Sequence, residues 1–169
     1  RLTRLLGERK ANGVYFGKDD YLLERYQTQD FDWKKVRKNV KRTASFLKEY
    51  PNADVLFVPV KSSALSQKLP MFAQIGGEAQ FFDQVRQQAP RQQQIAVEDV
   101  LKAHDSEYIY YRTDHHWTTL GAYYAYEAWA KHMGFTPVPK EQFQVTPVTD
   151  TFMGTTYAKV RTGGKADTI

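Results

Sequence analysis

A chain of 169 residues with 41% hydrophobic and 14% aromatic side chains is long enough to close one sizeable core without a covalent staple. The absence of cysteine excludes thiol catalysis, zinc–thiolate sites and disulfides, and there is no apolar run of the ~18 residues that a membrane helix needs. The net charge of +5 is mild, with its basic residues scattered or grouped on one helix face, so nucleic acid is not the expected partner and only a weak pull toward anionic surfaces follows.

In chain order, Asn12-Gly13 and the run 17–20 are turn signals around two β-prone stretches, Val14–Phe16 and Tyr21–Leu23, which predicts a hairpin. Trp33, Val36, Val40, Ala44 and Leu47 then recur at helical spacing, with Asp32 placed to cap the helix and Pro51 to end it. The other face of that helix carries Lys34, Lys35, Arg37, Lys38, Lys41 and Arg42. "ADVLFVPV" is too short and too valine-rich for a helix and reads as a buried strand. A helix feeding such a strand points to a parallel sheet with helices on its faces. "KSSALSQKLPMF" is expected as a loop at the carboxyl end of that strand. A second helix, broken near Pro90, leads through a glutamine cluster, expected as a polar surface turn, to a short strand at Ile95–Val97. "SEYIYYRT" is β-prone, and Thr118 or Thr119 can cap a helix that runs to about Met133, with Gly134 as its terminator. The proline-bearing tail from Phe135 is expected to be extended or looped. The sequence starts at Arg1 and closes on "RTGGKADTI" without a helix or strand, so it reads as a piece of something longer. A single domain over residues 1–169 is expected.

The chemistry concentrates at Asp114, His115, His116 and Trp117, at a strand-to-helix junction that takes two of only four histidines. Three readings compete. In the first, Asp114 is a turn residue, Trp117 a core anchor and the histidines ordinary polar groups. In the second the three ionisable residues bind a metal, but adjacent residues seldom converge on one ion and helical ligand spacing is missing, so no metal is expected. In the third, Asp114 two residues before His116 accepts its Nδ1–H and supports proton transfer at Nε2.

"RTDHHWTTLGAYYAY" resembles the hallmark of the DHHW protein family, which is related to the SGNH-hydrolase-like acetyltransferases of alginate and other exopolysaccharides. "NGVYFGKDDYLLE", "LFVPVKSSALSQKLP", "FFDQV" and "FMGTTYAKV" resemble further segments of these proteins, in the same order. The resemblance implies a three-layer, flavodoxin-like α/β domain with a mainly parallel sheet. It makes Asp114 the residue that orients the imidazole and His116 the general base, with Trp117 packed behind them and His115 at a variable position. It also implies an extracytoplasmic bacterial protein that acetylates or deacetylates a cell-surface polysaccharide, receives acetyl groups from a membrane-bound O-acyltransferase, and needs no organic cofactor. The family's serine, in a short D-S segment, is absent. Ser62 and Ser63 follow the "VLFVPV" strand and lie beside Lys61, but they lack the glycine framing of a nucleophile elbow, so Lys61 and Ser62 are expected to shape a pocket. Gly154 and Thr155 of "FMGTTYAK" are candidate oxyanion donors, with a plain turn at Gly154 as the competing reading. Tyr110 and Tyr111 are candidates for stacking on sugar, against the alternative that alternation buries one of each neighbouring pair. The chain alone is expected to be inactive. The rival reading is a non-catalytic carbohydrate-binding or scaffold module.

Overall fold

The computed structural model describes residues 9–169. Strands β1 (Lys10–Ala11), β2 (Val14–Phe16) and β3 (Leu22–Glu24) form an antiparallel meander in the order β1-β2-β3, one strand more than the predicted hairpin. Asn12 and Gly13 join the first two with positive φ at both positions (44° and 73°), the turn that follows the right-handed twist of paired strands. Helix α1 (Trp33–Glu49) starts as expected, with the Asp32 carboxylate accepting the Lys35 N–H at 3.0 Å. It buries Val40, Ala44 and Leu47 and exposes its basic face.

The predicted strand shrinks to β4 (Val55–Leu56), which pairs in parallel with β5 (Gln94–Ile95). Its extension stops at Pro59. Pro59 has no N–H to give, and the next one, from Val60, goes to the Glu78 carboxylate at 2.6 Å. The expected loop after it holds a helical turn, α2 (Lys61–Ala64). Helix α3 (Glu78–Gln88) packs against α1, and Phe57, Phe82, Val85 and Ala89 join Val40 and Leu47 in one cluster. The glutamine cluster is not all surface. Gln93, 2% exposed, donates its amide to the carbonyls of Leu47, Tyr50 and Ala53 at 2.7–2.9 Å and ties the end of α1 to β5.

Val97 belongs to α4 (Val97–Ala103) instead of the predicted strand, and the helix after Thr118 is α5 (Thr119–His132), terminated at Gly134. A further turn of helix, α6 (Thr155–Val160), lies in the tail that was expected to be extended. The largest core cluster unites β2 and β3 with α2, α4 and α5 through Tyr15, Leu23, Leu65, Val97, Leu101, Ile109 and Tyr124. The fold is mixed α/β; the sheets among the described residues are small, the three-stranded one antiparallel and the β4-β5 pair parallel. No helix among the described residues is long and apolar enough to cross a membrane.

Candidate active site at the Asp114–His116 turn

The β-prone run 106–113 makes no ladder. It forms the first arm of a tight turn, closed by an antiparallel bridge between Tyr110 and Trp117, by the Tyr111 N–H on His116 O at 3.2 Å and by the Thr118 N–H on Ile109 O at 3.0 Å. Two of its N–H groups find a carboxylate. Asp167, fully buried, accepts from the N–H of Arg112 (2.6 Å) and of Thr113 (2.8 Å), and from the hydroxyls of Thr113 and Tyr108. Sequence reading missed Asp167, because a lone acid in a loose tail carries no local pattern. From the other side comes Lys61, 3% exposed, whose ammonium donates to the carbonyls of Tyr111 (3.1 Å), Arg112 (3.2 Å) and Asp114 (2.6 Å). Burial pushes the Lys61 amine down to about 8. Lys61 thus pins the turn from beneath and leaves Ser-Lys chemistry without a free amine.

The Asp114 carboxylate, held by this double anchorage, is itself saturated. Oδ1 accepts the Thr155 N–H (2.8 Å) and hydroxyl (2.7 Å), and Oδ2 accepts the His116 N–H (3.0 Å) and lies 2.5 Å from His116 Nδ1. Burial opposes its charge, but the hydrogen bonds from Thr155 and His116 outweigh it and hold the carboxyl well below the usual range. The His116 side chain is 65% exposed, so the ring is fixed at Nδ1 while Nε2 faces out. His115 lies against it, ring centroids 3.9 Å apart, with its Nδ1 on the Thr155 hydroxyl at 2.7 Å.

Gly154 is there for a close approach to Asp114. A Cβ on it would sit 2.3 Å from the Asp114 Cβ and 2.6 Å from Oδ1. Its N–H goes to the Thr113 hydroxyl at 3.0 Å, and the Thr155 N–H to Asp114, so both candidate oxyanion donors are engaged in building the turn. Trp117 is half-buried against the core. Tyr111 stands edge-on between Tyr108 and Phe152, and Tyr110 is a core residue whose hydroxyl bonds Pro59 O. Ser62 is 1% exposed with an Oγ that finds no partner, and no serine hydroxyl is bonded to His116 among the described residues. Ser62, Lys61, Val60, Glu24, Tyr26 and His115 line a small open cleft of about 60 Å³.

The turn does bring together what adjacent residues were expected to keep apart: Asp114, His115 and His116 each present a ligand atom, all within 4.8 Å of one another. Three such groups can coordinate a cation. In this arrangement, however, both Nδ1 atoms and both carboxylate oxygens are hydrogen-bonded, the pattern that fixes imidazoles for proton transfer.

Residues 87–168 match the DHHW protein family. Among solved structures the chain is similar, at 25% identity and a TM-score of 0.66, to a DHHW family protein from Eubacterium siraeum, with 90% of this chain and 50% of that one covered. It is similar at 18% identity to the O-acetyltransferase domain of Pseudomonas putida AlgJ (TM-score 0.67, 93% and 63% covered). Bacillus cereus PatB1, solved with a sulfonyl adduct, is 19% identical (TM-score 0.63, 82% and 51% covered). At the last two identities the likeness is one of fold. The chain spans between half and two thirds of these solved chains. No curated protein matches it.

Proposed function

We propose that this chain carries the acid–base half of an acyl-transfer centre that O-acetylates a cell-surface or exopolysaccharide. The observation that carries the reading is the His116 ring, anchored at Nδ1 by the 2.5 Å contact to an ionised Asp114 and open at Nε2. Asp114 fixes the tautomer and stabilises the imidazolium. Nε2 takes the proton of a serine hydroxyl as that oxygen attacks the acetyl carbonyl, and returns it to the leaving group. The nucleophile in this reading is a serine outside residues 1–169. The domain is an SGNH-like one of three layers, of which β4 and β5 are the parallel part. The likeness to an O-acetyltransferase domain supports the reaction class, and the protein's place in the bacterial envelope beside a membrane-bound O-acyltransferase rests on the family resemblance.

A polysaccharide-binding scaffold is the second reading, favoured by the lack of a serine on His116 among the described residues. Hydrolysis of a chromogenic acetyl ester by the natural full-length protein separates the two. Catalysis predicts losses of about 10⁴-fold in kcat for Asp114→Asn and of similar size for His116→Ala. Equal, background-level rates for wild type and both variants would leave the scaffold.

A further inference from the structure

His115 occupies the position that the motif leaves variable, yet its surroundings are built. A hydroxyl has one hydrogen, and Thr155 gives its own to Asp114 Oδ1 at 2.7 Å, an ionised oxygen that can only accept. The 2.7 Å contact between Thr155 Oγ1 and His115 Nδ1 must therefore be an Nδ1–H donating to the hydroxyl. In the neutral ring the proton is then on Nδ1 and the lone pair on Nε2, the reverse of the tautomer a free imidazole prefers. Nε2 has no hydrogen-bond partner among the described residues, and His115 lines the cleft beside His116.

The rest of the cleft is rich in acceptors. Glu24 takes the Tyr26 hydroxyl (3.0 Å) and the Lys159 ammonium (2.6 Å) on Oε2, and only the Thr156 hydroxyl (3.1 Å) on Oε1. The phenol of Tyr26, having given its hydrogen to Glu24, keeps its lone pairs. Ser62, at the wall and almost wholly buried, has an unpartnered Oγ. The His115 Nε2 lone pair, the Glu24 carboxylate and the Tyr26 phenol oxygen are all acceptors, so this part of the wall suits a ligand that brings O–H donors. The cleft, about 60 Å³ and open to solvent, has room for a hydroxymethyl-sized arm.

We propose that Asp114 fixes two imidazoles, His116 directly and His115 through Thr155, and that His115, Glu24 and Tyr26 form a subsite for the hydroxyl arm of a sugar. That occupant, as acyl acceptor, rests on the acyl-transfer reading; the tautomer does not.

Long-range ¹H–¹⁵N NMR on this protein, at a pH where the rings are neutral, tests both halves. Both histidines are expected with protonated Nδ1. Thr155→Val should switch His115 to the Nε2–H form and leave His116 unchanged, while Thr155→Ser, which keeps the hydroxyl, restores the wild-type signature. Titration with methyl β-D-glucopyranoside should move the His115 Nε2 resonance in wild type but not in Thr155→Val, and acetate should move it in neither. A His115 that is Nε2–H in wild type, or is indifferent to Thr155→Val, overturns the relay. A wild-type Nε2 that ignores the glucoside overturns the subsite. Neither readout involves acetyl transfer, so an inactive full-length protein would sink the proposed function and leave these results standing.

Discussion

Gly154→Ala is the substitution whose effect the geometry sets most tightly. At φ −85° the backbone of residue 154 suits alanine as well as glycine, so conformational strain contributes nothing and the cost is steric. The new Cβ would lie 2.3 Å from the Asp114 Cβ and 2.8 Å from its Cα, where ordinary carbon contacts are about 3.5–4.0 Å. Neither neighbour is the free end of a flexible chain, so the 154–155 backbone must retreat by about 1 Å. That retreat breaks the Thr155 N–H bond to the Asp114 carboxylate and the Gly154 N–H bond to Thr113. Overpacking costs about 1–3 kcal/mol, and a bond to a charged acceptor adds about 1.5–3 kcal/mol. A loss of about 3–5 kcal/mol is expected, or a fall in Tm of about 10 °C for a chain of this size. Urea unfolding measures it, and the His116 Nδ1–H proton in NMR reports whether Asp114 has moved. Gly134→Ala, with nothing within 4 Å of its new Cβ, is the control and should show only the milder penalty of its positive φ. A Gly154→Ala protein as stable as wild type, with its Nδ1–H signal intact, would refute the reasoning.

Lys61 supplies a pH test. Its folded pKa of about 8 lies below the usual lysine value, so across pH 8–10 the unfolded chain holds more protons and stability rises. The rise should be about 2 kcal/mol and absent from Lys61→Met, as read by urea midpoints. Asp114 acts in the opposite range: its depressed folded pKa gives stability that is complete above about pH 4 and lost as pH falls further, so Asp114→Asn should flatten the acid limb of the unfolding profile. Gln93→Leu removes the amide that serves three buried or half-buried carbonyls and should cost about 2–3 kcal/mol, with amide exchange accelerated at the end of α1.

What could be read from the sequence was local. Asp32 and Thr118 cap helices, and Asn12-Gly13 turns a hairpin, because those signals act within four residues. Asp114 and His116 were legible for the same reason: a carboxylate two residues from an imidazole can reach it across a turn without help from the rest of the chain. The extent of the sheet was not legible, because a valine-rich run tells only that a segment is buried. Whether such a run extends a ladder depends on who takes its N–H groups: that of Val60 goes to Glu78, 18 residues away, and in the second β-prone run those of Arg112 and Thr113 go to Asp167, more than 50 residues away. Tertiary structure alone decided that Lys61 pins the turn, that Gly154 yields space to Asp114, and that Thr155 links a second histidine to the same carboxylate. Each of these is a contact across 40 residues or more, chosen by shape and hydrogen-bond need, and such pairings leave no period or spacing along the chain to be read.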